Sequence, residues 1–318
     1  MTRLVTACVL TAMAGGAAVL AQDLAAMFAY DRTRPADLVA GGTEERGGAV
    51  ITDVNYQTLT GTRRAAYLVT PSKAVAGPHP AILFVHWYEP PNPTSSRKQF
   101  LPDAVELAGE GVISLLVDTM WSDPDWFRNR DPENDLGHSI EQVKELRRAL
   151  DILVSRPGVD SSRVFYVGHD FGAMYGALVA GVDASRVFYV GHDFGAMYGA
   201  LVAGVDASRL KGFVFMAGTR SFSDWFLLWP KRDDAVKAET IRRLAPLDPV
   251  RHLPKAGALP ILFQFATRDR FVTKGAADTL VASAAGSKEA RWYDAEHALN
   301  ADATRDRLAW LRARLAAR

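Results

Sequence analysis

Cysteine is almost absent from this sequence of 318 residues, in which the only one is Cys8. It lies in an uncharged segment, Leu4 to Leu20, that follows Arg3 and ends shortly before Gln22. A positive start, an apolar stretch and small residues before a polar boundary are typical of a cleaved secretory signal. Residues 1–21 are therefore predicted to be removed on export to the periplasm or the medium. The mature chain would then contain no thiol, which excludes disulfides, thiolate metal sites and a cysteine nucleophile.

An excess of charge of one sign is also missing. The formal net charge is +1, and neither a basic patch nor an acidic tail stands out. Nucleic acids and membrane surfaces are therefore not expected as partners. The expected partner is a small-molecule substrate. With 48% apolar residues, the chain is long enough to bury one α/β core, so residues 22–318 are predicted to form a single domain. No metal or cofactor is expected, and the sequence leaves the oligomeric state open.

Apolar runs typical of strands alternate with segments of helical spacing after residue 49. Asp23 to Gly48 lacks such periodicity and is expected to wrap the surface before the sheet begins. In the helix predicted from Ser139 to Ser155, Glu141, Glu145 and Arg148 are expected on the solvent face. The alternation predicts a mostly parallel sheet with helices on both faces and ligands beyond the carboxyl ends of its strands. Strands are predicted at 50–57, 64–69, 81–86, 112–117, 213–216, 261–265 and 290–293, and further helices at 101–109, 235–244, 274–285 and 304–315.

One stretch in the middle of the chain carries the strongest motif. An apolar run, Arg163 to Val167, leads into Gly168-His169-Asp170-Phe171-Gly172 and then into the helix-forming segment Ala173 to Ala180. Small residues two before and two after the central position are needed where a strained turn brings backbones close together. The pattern predicts a nucleophile elbow in which Asp170 takes the position usually held by serine.

The same stretch occurs twice. Ser162 to Ala184 is repeated without change as Ser185 to Ala207, which gives a second elbow centred on Asp193. Solenoid repeats diverge and need several copies, so this pair indicates a recent duplication of one βα unit or an artefact. If both copies join the sheet as neighbours, the site is split by one strand spacing, about 4.8 Å; otherwise one copy is expelled. Because the first copy is synthesised first, Asp170 is slightly favoured as the working elbow.

Two further residues complete a candidate triad. The elbow aspartate, Asp269 and His297 follow successive strands in that chain order. Nucleophile, acid and histidine occur in this order in α/β-hydrolases. Alone, Asp269 could be a carboxylate leading a helix, and His297 could be a solvated or capping residue. The position of His297 between a strand and the final helix favours catalysis.

These motifs together resemble those of a known family. From about Asp53 to Leu315 the chain is similar to the α/β-hydrolase superfamily, and more narrowly to its dienelactone-hydrolase-like branch. The matching segments are 81–86, the elbow, 260–265, 268–272 and 292–297. The resemblance implies that Asp170 or Asp193 is the nucleophile, Asp269 the orienting acid and His297 the base. It also implies that backbone amides of the following residues form the oxyanion hole: Trp87 or Tyr88, and Phe171 or Phe194.

The aspartate at the elbow leaves three functions open. That branch usually has cysteine or serine there, whereas Gly-His-Asp-Phe-Gly resembles haloalkane dehalogenases and epoxide hydrolases. A carboxylate is ionised without a base and best displaces a leaving group from saturated carbon. The wider resemblance favours hydrolysis of a small ester or lactone, and the aspartate favours alkyl-group cleavage. The third possibility is an inactive hydrolase fold that binds ligands without turnover.

Aromatic residues follow two of the core strands. Trp126 and Phe127 lie in one loop, and Trp225 and Phe226 lie in another, on the side where the elbow is expected to open. Aromatic side chains in these positions are predicted to wall an apolar substrate pocket. Alternatively, they anchor the loops to the core. Residues 218–244 leave room for one helix at most, so no separate helical cap is expected.

Overall fold

The strands of the molecule form one sheet. The computed structural model describes residues 26–73, 75, 77–89, 92–131, 134–182, 187–205, 210–227 and 233–315, so the predicted signal segment, 1–21, lies outside the described residues. The strands are β1 (Val39–Arg46), β2 (Ala49–Gln57), β3 (Arg63–Pro71), β4 (His79–Val85), β5 (Ile113–Val117), β6 (Val159–His169), β7 (Val187–His192), β8 (Leu210–Met216), β9 (Ile261–Ala266) and β10 (Lys288–Tyr293).

The α-helices alternate with these strands after β4. They are α1 (Leu101–Ala108), α2 (Trp126–Asn129), α3 (Asp135–Val154), α4 (Phe171–Val182), α5 (Phe194–Val205), α6 (Phe222–Leu227), α7 (Asp234–Leu244), α8 (Pro249–His252), α9 (Lys274–Ser283) and α10 (Ala301–Leu315). Two of them, α6 and α7, lie between residues 218 and 244, so the expectation of one helix at most was wrong. None of the described helices is both long and apolar enough to cross a bilayer.

The strand order confirms the predicted fold class. The sheet runs β1-β2-β3-β5-β4-β6-β7-β8-β9-β10, with antiparallel pairing from β1 through β3 to β5 and parallel pairing from β5 to β10. Helices cover both faces: α3, α4 and α5 contribute to the larger core, and α1 and α10 contribute to the smaller one. Burial on both faces explains why the central strands are continuous apolar runs.

Both copies of the repeated segment are part of the sheet. The first forms β6 and α4, and the second forms β7 and α5. The strands β6 and β7 pair in parallel and in register, so that Gly168 lies opposite Gly191. Identical rings consequently stack, as in the pair Phe165 and Phe188, whose centroids are 4.5 Å apart. Neither copy is expelled, because each apolar strand is buried by its neighbours.

The expectation for the segment before the sheet was wrong in part, since residues 39–46 form β1. Every side chain of β1 is exposed. A strand exposed on both faces has no buried side, so it shows no alternation of apolar and polar residues. It is held by backbone pairing with β2.

The expectation for the solvent face of α3 was also wrong for two of its three residues. Glu145 and Arg148 are both 3% exposed. Glu145 accepts a hydrogen bond from the backbone N–H of Leu59 at 2.7 Å, and Arg148 donates to the carbonyls of Gln57 at 2.8 Å and Pro35 at 2.6 Å. These charged side chains are buried because they satisfy backbone groups of the chain around β2. The helix also begins at Asp135, before the predicted start.

Candidate active site

Two sharp turns lie side by side at the carboxyl ends of β6 and β7. The central residue of each has positive φ, 48° at Asp170 and 59° at Asp193. Residues other than glycine rarely adopt this left-handed backbone conformation, so both turns are strained. The helix that follows begins at once: Met174 N–H donates to the Asp170 carbonyl at 2.8 Å, and Met197 N–H to the Asp193 carbonyl at 3.2 Å. The sequence therefore forms two elbows, each presenting a carboxylate above the sheet.

The glycines of the motif are required by close approach. A Cβ atom on Gly172 would clash with the carbonyl oxygens of Val85 and His86, and one on Gly195 would clash with Ala173. The neighbours differ, although the two sequences are identical, because β4 flanks the first elbow while the first copy flanks the second. Each elbow thus meets a different environment.

His297 lies between two carboxylates. Its Nδ1 is 2.8 Å from Asp269 Oδ2, and its Nε2 is 3.5 Å from Asp193 Oδ2. The Asp269 side chain is 1% exposed, and its other oxygen accepts backbone N–H bonds from Phe271 at 2.8 Å and Val272 at 3.1 Å. These bonds fix Asp269, which in turn orients the imidazole. The second elbow, and not the first, contacts His297. The slight preference for Asp170 as the working elbow stays a prediction, because this contact alone does not test activity.

The two carboxylates favour the protonated form of His297. Burial disfavours the imidazolium, but hydrogen bonds to Asp193 and Asp269 and the charges of both outweigh burial and raise the pKa of His297 to about 9. Burial raises the pKa of Asp193, and the bond to His297 opposes this increase. Near neutral pH, His297 is therefore held as an imidazolium between its two partners.

Asp170 faces the loop that follows β4. Its Oδ2 is 3.5 Å from the backbone nitrogen of Tyr88. Burial and the nearby charge of Asp193 raise the pKa of Asp170 to about 7, although hydrogen bonds from the N–H groups of Phe171 and Tyr88 oppose the increase. Asp170 therefore has the Tyr88 amide beside it, whereas Asp193 has His297. The features expected around one elbow are divided between two.

The four backbone amides predicted to form the oxyanion hole have different hydrogen-bond partners. Trp87 N–H donates to Gln99 Oε1 at 2.8 Å, so this amide is engaged away from both elbow carboxylates. Hydrogen bonds from the N–H groups of Phe171 and Phe194 lower the pKa of the elbow carboxylate that precedes each of them. Of the four amides, that of Phe194 is therefore the one at the elbow that contacts His297.

Gln99 is a structural contributor that the sequence analysis missed. Its side-chain amide nitrogen donates to His169 Nδ1 at 2.6 Å, while its oxygen accepts from Trp87. Trp87 also stacks on the His169 ring, with centroids 4.8 Å apart. Gln99 lies in a turn before α1, far from both elbows in sequence, so no local motif indicates this role.

The two elbows open into one cleft of about 270 Å³. Trp126 is half-buried and does not line this cleft; its ring meets His138 edge-on at 5.9 Å. The side chains of Phe127, Trp225 and Phe226 lie outside the described part of the structure, so their predicted place in the pocket stays a prediction. The lining residues are Trp87, Glu89, His169, Asp170, His192, Asp193, Phe194, Phe271, His297 and Ala298.

Solved structures of similar architecture are known. An acetyl xylan esterase from Paenibacillus sp. R4 aligns over 93% of this chain and 93% of its own, with 18% identity and a TM-score of 0.59. Acetyl xylan esterase 1 from Thermoanaerobacterium sp. JW/SL YS485 aligns over 92% and 93%, with 14% identity and a TM-score of 0.55. An S-formylglutathione hydrolase from Staphylococcus aureus aligns over 85% and 99%, with 12% identity and a TM-score of 0.52.

The chain has the α/β-hydrolase fold. No family model matches the chain, and no curated protein matches it. At 12 to 18% identity, the three structures establish architecture alone. Within this α/β-hydrolase fold, the order of elbow, acid and histidine along the chain agrees with the contacts: Asp269 follows β9, His297 follows β10, and the two meet beside the second elbow.

Proposed function

We propose that this α/β-hydrolase-fold chain hydrolyses small, uncharged esters or lactones. In this proposal Asp193 is the nucleophile, His297 transfers protons and Asp269 orients the imidazole. The observation that carries it is the position of His297, whose Nδ1 is 2.8 Å from Asp269 and whose Nε2 is 3.5 Å from Asp193 at the cleft. A nucleophile, a proton-transfer group and an orienting acid in hydrogen-bond reach are the requirements of covalent catalysis.

The protonation state suits the first step. Asp193 as carboxylate needs no base, and His297 as imidazolium is ready to give a proton. The carboxylate adds to the ester carbonyl, and the bond to the alcohol oxygen then breaks while His297 Nε2 protonates that oxygen. The products are the free alcohol, an anhydride between the acyl group and Asp193, and a neutral imidazole. The Phe194 amide, which lies at the same elbow, is the candidate donor for the oxygen that becomes negative.

The second step, hydrolysis of the anhydride, is made possible by the loss of the negative charge on Asp193. Once Asp193 is acylated, it no longer stabilises a proton on His297, so the pKa of the imidazole falls. Neutral His297 then accepts a proton from water as the water oxygen adds to the Asp193 side-chain carbonyl. The anhydride breaks, the carboxylic acid product leaves, and Asp193 and the imidazolium are restored. Asp269 accepts the hydrogen bond from His297 Nδ1 and keeps the imidazole oriented throughout.

Charge and size limit the substrate. The cleft holds about 270 Å³ and is lined by the carboxyl groups of Glu89, Asp170 and Asp193. Anionic substrates are disfavoured there because these three carboxyl groups outnumber the single imidazolium of His297 and like charges repel in a partly desolvated space. Two proteins of the same architecture are named acetyl xylan esterases, which supports a short acyl group such as acetyl.

The aspartate favours alkyl-group cleavage as a second candidate function. In that reaction Asp193 attacks a saturated carbon, displaces halide or opens an epoxide, and forms an alkyl ester that His297 clears with water. The absence of an acyl transfer step makes a strong oxyanion hole unnecessary for the attack. A panel of p-nitrophenyl acetate, a short haloalkane and an epoxide separates the two candidates by the substrate that turns over.

Isotope incorporation tests the covalent step. The two copies yield identical tryptic peptides, 164–186 and 187–209, so the experiment uses Asp170→Asn to give the first copy a different mass. After many turnovers in heavy-oxygen water, we expect heavy oxygen in the carboxyl group of Asp193. The matched variant, Asp193→Asn, is expected to leave Asp170 unlabelled. Label confined to the product would show direct attack by water and overturn the covalent step, and no turnover of any substrate would favour a binding protein.

We also propose that the chain is exported, because residues 1–21 have the pattern of a secretory signal. Amino-terminal sequencing of the protein from an export-competent host is expected to begin at Gln22. A protein that retains Met1 would contradict export by cleavage.

A further inference from the structure

We propose that His192, Asp193 and His297 bind one divalent transition-metal ion of the Zn²⁺ class. One ligand atom from each of these residues lies within 4.8 Å of those of the other two. The sequence led us to expect no metal, and the predicted mature chain contains no thiol that could bind one. The candidate ligands come together only because the second elbow lies beside the loop that carries His297.

The first support is an unsatisfied nitrogen on His192. Its Nε2 is 2.9 Å from the backbone carbonyl of His297, and a carbonyl only accepts, so this nitrogen carries the proton. Nδ1 therefore has a lone pair. His192 is 3% exposed, and its Nδ1 has no hydrogen-bond partner within the described ranges. A buried acceptor without a donor is costly, and an ion or an ordered water is the usual remedy.

The second support is an unsatisfied oxygen on the adjacent residue. Asp193 Oδ1 is buried, and it too lacks a hydrogen-bond partner among the residues that the structure describes. Its other oxygen, Oδ2, is 3.5 Å from His297 Nε2. The chain thus places an uncharged nitrogen acceptor and a carboxylate at consecutive positions of a strained turn, where a cation would satisfy both.

The third support is the set of groups behind the two histidines. Histidines that bind metals nearly always donate their other ring N–H to a carboxylate or a backbone carbonyl. His297 Nδ1 is 2.8 Å from Asp269 Oδ2, and His192 Nε2 is 2.9 Å from a backbone carbonyl. One nitrogen of each ring is therefore engaged by a supporting bond. The other nitrogen can bind a metal: Nδ1 of His192 directly, and Nε2 of His297 once the metal displaces its proton.

The ligand types select the metal. Two imidazole nitrogens and one carboxylate match the three protein ligands of open, tetrahedral zinc sites, which keep a fourth position for water. Bonds of about 2.0 to 2.1 Å in such a site separate neighbouring ligand atoms by roughly 3.4 Å. The Asp193 to His297 distance of 3.5 Å fits, and the ligand atoms of all three residues lie within 4.8 Å of one another. Ca²⁺ and Mg²⁺ prefer sets made of oxygen alone.

The first copy provides a control within the same molecule. It has the same residues, His169 and Asp170, but His169 Nδ1 is 2.6 Å from the Gln99 side-chain nitrogen, so its lone pair accepts a hydrogen bond. Asp170 Oδ2 faces the Tyr88 amide at 3.5 Å. The first elbow therefore lacks a ligand set, and we assign the metal to the second elbow alone.

A bound metal would occupy the Nε2 lone pair of His297 and the carboxylate of Asp193. It would therefore inhibit the metal-independent hydrolysis proposed above. The ligand set itself does not depend on that proposed function, because the three residues and their supporting bonds are present whatever reaction the cleft performs.

Titration of the full chain with Co²⁺ tests the site without any substrate, because visible absorption reports a tetrahedral cobalt complex, and calorimetry with Zn²⁺ gives the affinity. We expect one equivalent to bind near neutral pH, with release of the Nε2 proton of His297. His192→Ala and His297→Ala are expected to weaken binding by about 10²-fold or more, and Asp269→Asn by roughly 10- to 100-fold through its support of His297. His169→Ala, the matched control in the first copy, is expected to change affinity less than about threefold.

The proposal is overturned if Co²⁺ shows no tetrahedral absorption, or if His169→Ala weakens binding as much as His192→Ala. It is equally overturned if binding survives both ligand substitutions, which would place the metal elsewhere. Circular dichroism of each variant confirms that a lost signal reflects a lost ligand and not an unfolded chain. An inactive protein that still binds one Co²⁺ would reject the hydrolase and retain the metal site.

Discussion

The first and second elbows have the same sequence and different chemistry. Asp170 lies beside the Tyr88 amide, whereas Asp193 lies beside His297. The histidines that precede the two aspartates also have different hydrogen-bond partners. His169 accepts a hydrogen bond from the Gln99 side chain, whereas His192 donates one to the backbone carbonyl of His297. Position in the sheet, and not local sequence, therefore decides what each copy contacts. This comparison turns every substitution in one copy into a control for the other.

The largest expected effect separates the two aspartates. Asp193→Asn removes the carboxylate that contacts His297, and we expect kcat/KM for p-nitrophenyl acetate to fall on the order of 10³-fold. Asp170→Asn is expected to change it less than about tenfold, since Asp170 does not reach His297. Steady-state kinetics measures both. Equal losses in the two variants would mean that the elbows act together, and a greater loss at Asp170 would reverse the assignment.

Deleting residues 185–207 leaves a single elbow. Deletion of either copy yields the same protein, and we expect its remaining strand to pair with both β4 and β8. We then expect its aspartate to lie next to both the Tyr88 amide and His297. A displacement of about 1 Å can cost 10²-fold in rate, so we expect kcat/KM to rise by about that factor. We also expect a higher soluble yield. An unchanged rate and melting temperature would show that the split site is not a handicap.

The pH dependence sharpens the role given to His297. Its pKa of about 9 lies above the ordinary 6.5, so the imidazolium stabilises the fold fully below pH 6.5 and less as pH rises through 9. Because this proton is needed by an alkyl leaving group, kcat/KM for an alkyl acetate is expected to fall about tenfold per pH unit above 9. In Asp193→Asn, one charge is lost and the His297 NMR titration should move to lower pH. A midpoint that does not move would contradict the contact.

The smallest expected effect concerns stability at the first elbow. Burial and Asp193 raise the pKa of Asp170 from 3.8 to about 7. The contribution of Asp170 to stability is therefore greatest below 3.8 and is lost as pH rises through 7. Asp170→Asn should stabilise the fold above pH 7 by about 1–2 kcal/mol and change little in acid. Urea unfolding at both pH values measures this. Asp193→Asn, which breaks the bond to His297, should not stabilise the fold at alkaline pH.

Sequence patterns predicted the alternating fold well, because most central strands are buried on both faces and read as apolar runs. They did not predict β1, whose exposed side chains leave no periodic signal. They also put Glu145 and Arg148 in solvent, since a charged residue that satisfies distant backbone groups looks like a surface residue in sequence. For the site, the order of Asp269 and His297 was informative. Gln99 and the choice between the elbows depend on contacts across the sheet, which no local pattern records.

The in-register pairing of β6 with β7 has a consequence for how this chain reaches its native state. Two interchangeable strands can compete for the same position next to β4. An arrangement with the second strand in that position differs from the correct one only in the connecting residues, so these residues alone determine the energy difference between the two. Such degeneracy slows folding and creates traps. A single substitution that favours one strand at that position would make the two distinguishable to the folding chain, so divergence of the copies would itself improve folding.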